Sequence, residues 1–420
     1  MGKRKLEAYP IYLILSGGTQ LANIMIFTVL AVYYVTMIGM NPLQLVLVGT
    51  VLETTIFLFE IPTGVVADTF SRRLSVIIGM FVLGVAFVFE GSISLVVTVM
   101  LAEIIRGIGE TFISGAREAW IADEVGEGEV ARVYLRATQV RQVAALIGIG
   151  ASVSLASLQL TLPIVLGGGL YLALGLFLVL TMPERGFQPT PRGERSSWQM
   201  LGSTFQNGVH VVRGQPVLLT ILSIGILAGA ASEGLDRLWE AHLLTNFSFP
   251  TLGALKPVVW FGIINAATII GGLLATEILR RRVDTVSRSP QLTAWSLLGL
   301  ETLSVVTIIA FGVANNFMWA LGALLAKSVA GSLAGPLHSA WLVQNINPKV
   351  RATVLSMSSL TDAFGQTTGG PVIGVVGTTF SLRTAMVVTG GVLSLTLPLY
   401  AQVVRRNRNI LAMKETQSNP

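Results

Sequence analysis

Apolar residues do not alternate with polar ones along this chain; they run in long unbroken blocks separated by short polar punctuation. Twelve blocks reach the roughly 20 residues needed to cross about 30 Å of hydrocarbon as a helix. They fall near 11–37, 44–67, 74–94, 96–121, 137–158 and 161–182, then 217–244, 258–279, 291–313, 316–344, 353–378 and 384–404. Continuous blocks of this length predict helices. A membrane barrel would show segments of about ten alternating residues instead. The predicted fold is therefore an all-α membrane protein of twelve transmembrane helices.

The punctuation sets the organisation. The longest polar stretch, 183–216, is rich in Pro, Gly, Arg and Ser and separates six spans from six. The expected domains are an N-terminal bundle over 1–182, a central loop over 183–216, a C-terminal bundle over 217–404 and a tail over 405–420. Within the loop, Trp198, Leu201, Phe205, Val209 and Val212 recur at three or four residues. That spacing is consistent with a helix lying on the membrane surface and equally with an irregular linker. Weak echoes link the halves: Gly64…Arg72-Arg73 with Gly272…Arg280-Arg281, Ala119-Trp120-Ile121 with Ala340-Trp341-Leu342, and Arg136-Ala-Thr with Arg351-Ala-Thr. Three matches in one order predict a duplicated six-helix unit, hence two pseudo-symmetric bundles. Transporters are often built from such repeats.

Composition agrees. The 420 residues are 52% hydrophobic and 12% charged, against about 25% charged in soluble domains. The net charge of +6 resides mainly in segments between spans: Lys3–Lys5, Arg72-Arg73, Arg280–Arg282 and Arg405-Arg406. Under the positive-inside rule that distribution predicts a multi-pass protein of the plasma (inner) membrane with both termini cytoplasmic, and it argues against nucleic acid as a partner. The block after Lys5 is too long for a signal-peptide core, so the N-terminus is expected to stay in the cytoplasm. With no cysteine, thiolate metal sites and cysteine nucleophiles are excluded. The three histidines, His210, His242 and His338, lack metal-ligand spacing. No Walker-type phosphate loop occurs. Neither a catalytic centre, a metal nor a cofactor is expected, and a proton gradient is the expected driving force.

The chemistry lies in charges inside the spans, which cost at least about 2.5 kcal/mol each at mid-depth and so face a cavity or a partner. Span 4 holds Glu103, Arg106, Glu110 and Arg117 at helical spacing, predicting one stripe with Arg106 bridging Glu103 and Glu110. It is either a cavity-facing relay or a neutralised packing network. Glu53 and Glu60 share a face of span 2, and Glu60 is expected to pair with Arg72 or Arg141. Span 7 carries Glu233, Asp236, Arg237 and Glu240 beside Trp239. Asp362 and Glu301 are lone acids near mid-depth, and Lys327 is placed to neutralise either.

Between spans 2 and 3, Gly64-Val-Val-Ala-Asp68-Thr-Phe-Ser-Arg72-Arg73 resembles the loop 2–3 signature of the major facilitator superfamily, G-x-x-x-D-x-x-G-R-[RK], with Ser71 in the second glycine's place. Arg106 resembles the arginine of the family's span 4 motif, with Gly109 one residue early. Phe59–Gly64 and Ser114-Gly115-Ala116-Arg117-Glu118-Ala119…Asp123 resemble a multidrug-type branch. Gly365-Gln-Thr-Thr-Gly369-Gly370-Pro371-Val-Ile-Gly374 resembles the family's antiporter motif but falls in span 11, whereas span 5 offers only Gly148-Ile-Gly150. The resemblance implies alternating access and export of an amphipathic or cationic small molecule in exchange for protons. Gly64, Asp68, Arg72, Arg73, Glu60 and Arg141 would form the conformational gate. Glu53, Arg106, Glu110, Glu233, Asp236 and Asp362 would handle proton or substrate. The implied partners are a small-molecule substrate, protons and the lipid bilayer, and the implied state is a monomer. Within the same class, the alternative is a porter for one metabolite such as a sugar or siderophore. In another class it is a membrane-embedded acyl- or glycosyltransferase.

Overall fold

A computed structural model describes residues 2–189, 216–252, 256–286, 289–346 and 351–405. The amphipathic pattern Trp198–Val212, His210, Lys349 and the tail beyond Arg405 lie outside the described residues, as do the side chains of Arg280 and Arg281. The described chain is helical almost throughout, with thirteen α-helices and one π-helical turn. In the first half these are α1 (Gly2–Tyr33), the π turn (Tyr34–Ile38), α2 (Pro42–Thr69), α3 (Arg72–Ser92), α4 (Val96–Ile113), α5 (Ala116–Val125), α6 (Glu127–Leu158) and α7 (Leu162–Thr181). The second half has α8 (Pro216–Asn246), α9 (Val258–Val286), α10 (Pro290–Val313), α11 (Phe317–Asn345), α12 (Arg351–Thr379) and α13 (Leu382–Ser394), with residues 396–405 helical again past a turn.

Ten of the described helical segments are long and apolar enough to cross a membrane. The other two spans are the polar ones: α4, with Glu103, Arg106 and Glu110, and α12, rich in Gly, Ser and Thr. Together they make the twelve-span helical fold. Span 4 differs from expectation. It is not one helix over 96–121 but breaks at Ser114-Gly115, where Gly115 adopts φ +70°. A side chain is strained in that region and glycine is not. The break takes Arg117 off the stripe of Glu103, Arg106 and Glu110.

By contacts, unit 1 comprises Met1–Met40, Val51–Met200 and Thr251–Asn265; unit 2 comprises Asn41–Thr50, Leu201–Pro250 and Ala266–Pro420. In unit 1, α3 packs on α7 and α4, and α1 on α6 and α7. In unit 2, α12 packs on α8, and α10 on α11 and α13. Lipid removes the hydrophobic incentive between helices, so close backbone approach over small residues dominates. A Cβ on Gly84 of α3 would lie 2.9 Å from the Gly168 carbonyl of α7, and one on Gly168 would lie 2.8 Å from Val88 N. In unit 2, a Cβ on Gly229 would lie 2.2 Å from the Asp362 carbonyl, and one on Gly365 2.1 Å from the Ile226 carbonyl. The glycine pattern of span 11 is thus a packing face against α8.

The start of α2 belongs to this packing too. Asn41 and Gln44 cap it reciprocally, Gln44 N donating to Asn41 Oδ1 at 2.9 Å and Asn41 N to Gln44 Oε1 at 3.0 Å, a capping box. Leu43 N donates to Thr378 Oγ1 at 2.9 Å. A Cβ on Gly374 would touch Leu43 and Val46, and one on Gly377 would touch Pro42.

The repeat visible in the sequence has a structural counterpart. Trp120 and Trp341 are both buried. Trp120 Nε1 donates to the Pro183 carbonyl just past α7 at 2.7 Å. Trp341 packs on Tyr400 in the final helical segment, with ring centroids 5.7 Å apart. Each tryptophan therefore joins the fourth span of its half to the end of the sixth.

Replacing Gly84 by Leu is expected to cost about 1–3 kcal/mol through overpacking. Gly169→Ala, with no described atom within 4 Å of the new Cβ, is expected to be neutral. Thermal unfolding of the two purified variants in detergent checks this; equal midpoints would refute the close-approach account.

Candidate functional site

The loop between α2 and α3 is built by backbone chemistry. Ser71, in extended conformation, caps α3: its Oγ accepts from Leu74 N at 2.9 Å and donates to Glu184 Oε2 at 2.6 Å. Its φ of −173° needs no glycine, so a capping hydroxyl replaces the family glycine without strain. Glu184 is the residue that pattern reading misses. Its Oε1 also accepts from Arg73 N at 2.8 Å, so one carboxylate holds the N-terminus of α3 from just beyond α7. Charge at this position favours the helix dipole.

The arginines point to different partners. Arg72 pairs with Asp123 of α5 through a short contact and donates to the Ala119 carbonyl at 3.1 Å. Arg73 donates to the Val179 carbonyl of α7 at 2.7 Å. Asp68 lies 3.9 Å from Arg72 with its side chain 59% exposed. No described atom lies within 4 Å of a Cβ built on Gly64. Glu60 is exposed and accepts from Ser114 Oγ at 3.0 Å, while Arg141 donates to Thr138 Oγ1 at 3.1 Å. The expected Glu60 pairing with Arg72 or Arg141 does not form, because Asp123 occupies Arg72 and Arg141 turns along its own helix.

Deeper in unit 1, Arg106 is buried and donates to Glu103 Oε1 at 2.6 Å. No ion pair with Glu110 forms among the described residues, so Arg106 does not bridge the two acids. Its guanidinium lies over the rings of Phe27 and Phe87, 5.3 and 5.8 Å from their centroids, a cation–π setting that compensates a desolvated cation. Glu90 of α3 joins the group through Tyr34. It was not among the candidates, because an acid two residues from a helix end reads as an interface residue. Glu110 is half-buried one turn further along α4, and Glu53 is half-buried on α2.

In unit 2, Glu233 is buried and accepts from Arg237 Nε at 2.9 Å. The pair sits directly on the backbone of α2, where a Cβ on Gly49 would meet Glu233 Oε1 at 1.7 Å. Asp236 is exposed and Glu240 buried, so the expected stripe divides between two environments. Lys327 of α11 lies within electrostatic range of both Asp236 and Glu301. Asp362 Oδ2 accepts from Gln366 Nε2 at 2.8 Å. His242 is buried, 3.2 Å from the Phe311 carbonyl, a packing role. Among the described residues no cluster of His, Cys, Asp or Glu is suited to hold a metal ion.

Comparison with known proteins agrees with this architecture. Residues 12–300 match the profile of the Major Facilitator Superfamily. An uncharacterised MFS-type transporter of Bacillus subtilis (strain 168), YxaM, is 22% identical over 94% of this chain and 95% of its own length. Among solved structures, the nucleoside transporter NupG superposes with a TM-score of 0.76 at 14% identity, covering 94% of this chain and 98% of that one. A bacterial homologue of the human lysosomal transporter Spinster gives 0.72 at 15% identity, over 96% and 97%. This chain belongs to the Major Facilitator Superfamily: it is a multi-pass membrane transporter of a small molecule, not an enzyme.

Proposed function

We propose that the transporter exports a lipophilic or cationic small molecule by alternating access between two six-helix bundles, with protons moving the opposite way. One observation carries the reading. Among the described positions inside the twelve spans, acids outnumber bases: Glu53, Glu60, Glu90, Glu103, Glu110, Glu118, Glu233, Asp236, Glu240, Glu277, Glu301 and Asp362 stand against Arg106, Arg117, Arg141, Arg237 and Lys327. A chain of net positive charge keeps acid inside its spans, where a carboxyl can carry a proton or attract a cation. The basic inter-span segments support an inner-membrane location with both termini cytoplasmic.

Asp68 is the proposed gate residue. A group that biases one conformation needs a partner in that state and none in the other. Its exposure and loose 3.9 Å approach to Arg72 suit that demand, whereas Arg72, Arg73 and Glu184 form the fixed frame. Asp68→Asn is expected to insert normally and to lower transport roughly tenfold, the scale of one lost charge-assisted hydrogen bond. Wild-type flux in proteoliposomes containing this variant would remove the role.

A second reading, a porter for one polar metabolite, is favoured by the opposite charges of Lys327 and Asp236 and by the Asp362–Gln366 bond in unit 2. Such mixed polarity suits a zwitterionic or hydroxyl-rich solute. Flux of a compound panel in proteoliposomes, with and without a proton gradient, separates the two. Uphill movement of several lipophilic cations that stops with a protonophore is expected. Movement of a single polar solute would favour the second reading.

A further inference from the structure

Four polar side chains from three elements meet in an enclosed space within unit 1. Tyr34 is 5%, Glu90 1%, Glu103 0% and Arg106 4% exposed. The Tyr34 hydroxyl donates to Glu90 Oε1 and lies 3.5 Å from Glu103 Oε1. One hydroxyl therefore reaches both carboxyls. Among the described residues Arg106 makes one ion pair, with Glu103 at 2.6 Å. The neighbouring side chains are aromatic or amide. From α1 come Asn23, Phe27 and Tyr33, whose hydroxyl donates to the Glu90 main-chain carbonyl at 2.9 Å. From α3 comes Phe87, and from α7 comes Tyr171, stacked on Phe87 and donating to Asn23 Oδ1 at 2.8 Å. Glu110, one turn along α4, and Arg117 on α5 reach Tyr171 electrostatically, and α2, which carries Glu53, touches α4 at Gly107.

The charge count decides the state. Two carboxylates and one guanidinium would leave a net −1 in a buried space, and like charges this close do not both ionise there. One proton makes the group neutral. We propose that Glu90 and Glu103 share a single proton through Tyr34, and that this pair is the site from which the carrier releases its coupled proton. The second clause rests on the proton-coupled reading above. On release, one carboxyl O–H bond breaks, the proton passes to water, and the group goes from neutral to −1 beside Arg106. Tyr34 opens the π-helical turn Tyr34–Ile38, which ends at Gly39 with φ +75°. Single π turns recur at functional sites, and here one carries the residue that covers both acids. The arrangement makes Glu90 a proton-binding residue and Tyr34 and Arg106 positioning residues.

Infrared difference spectra of the full chain in lipid nanodiscs, recorded between acidic and alkaline buffer, read the shared proton without any substrate. The wild type is expected to show a carbonyl band of a protonated carboxyl that Glu90→Gln loses in part and Tyr34→Phe shifts. Glu90→Gln mimics the protonated side chain in shape, and Glu90→Asp should restore the band, separating chemistry from folding. Superimposable wild-type and Glu90→Gln spectra would overturn the shared proton. In proteoliposomes, Glu90→Gln is expected to lose movement of a lipophilic cationic dye driven by the proton gradient; gradient-driven flux equal to wild type would overturn the release site. A wild type whose flux ignores the gradient would instead sink proton coupling itself, with the infrared result still deciding the shared proton.

Discussion

Charge in hydrocarbon is the constraint around which this molecule is arranged. A guanidinium or carboxylate inside a span is tolerated only where something neutralises it. Arg106 meets that demand three ways, with the Glu103 carboxylate at 2.6 Å and two aromatic faces. The Glu233–Arg237 pair meets it by burial against the Gly49 backbone. Each solution needs its neighbours at fixed distance, so the charged groups dictate where helices approach and where side chains vanish. Glycine is the consequence at Gly49, just as close helix contact is its reason at Gly84, Gly168, Gly229 and Gly365.

The loop between α2 and α3 follows another logic, that of helix ends. α3 begins with free N–H groups, and Ser71 and Glu184 satisfy two of them. Arg72 and Arg73 satisfy the carbonyls of Ala119 and Val179. The result is a rigid collar of local bonds within unit 1 that leaves Asp68 loosely held. Rigidity around an under-committed acid is the physical setting that a two-state contact requires, which supports the proposed gating role of Asp68.

Much was legible from one dimension. Block length alone specifies spanning helices, because backbone groups in lipid have no alternative partner. The order Gly64, Asp68, Arg72, Arg73 identified the family, and Trp120 with Trp341 disclosed the repeat. The site was legible only in part. Spacing placed Glu103, Arg106 and Glu110 on one stripe but assigned Arg106 two acids where it takes one. Arg117 was read onto that stripe because a helix wheel cannot register a break at Gly115. Glu60 was matched to arginines that geometry gives to Asp123 and Thr138.

What the sequence determined by itself is therefore what local physics controls: twelve helical spans and their polar punctuation. What only the tertiary structure decided is which charges meet. Glu90 lies 13 residues from Glu103 and 56 from Tyr34 in the chain, and Glu184 lies 111 from Arg73. No helical or turn periodicity spans such separations. Partners that far apart are chosen by how the helices pack, and packing here depends on glycines whose neighbours belong to other segments.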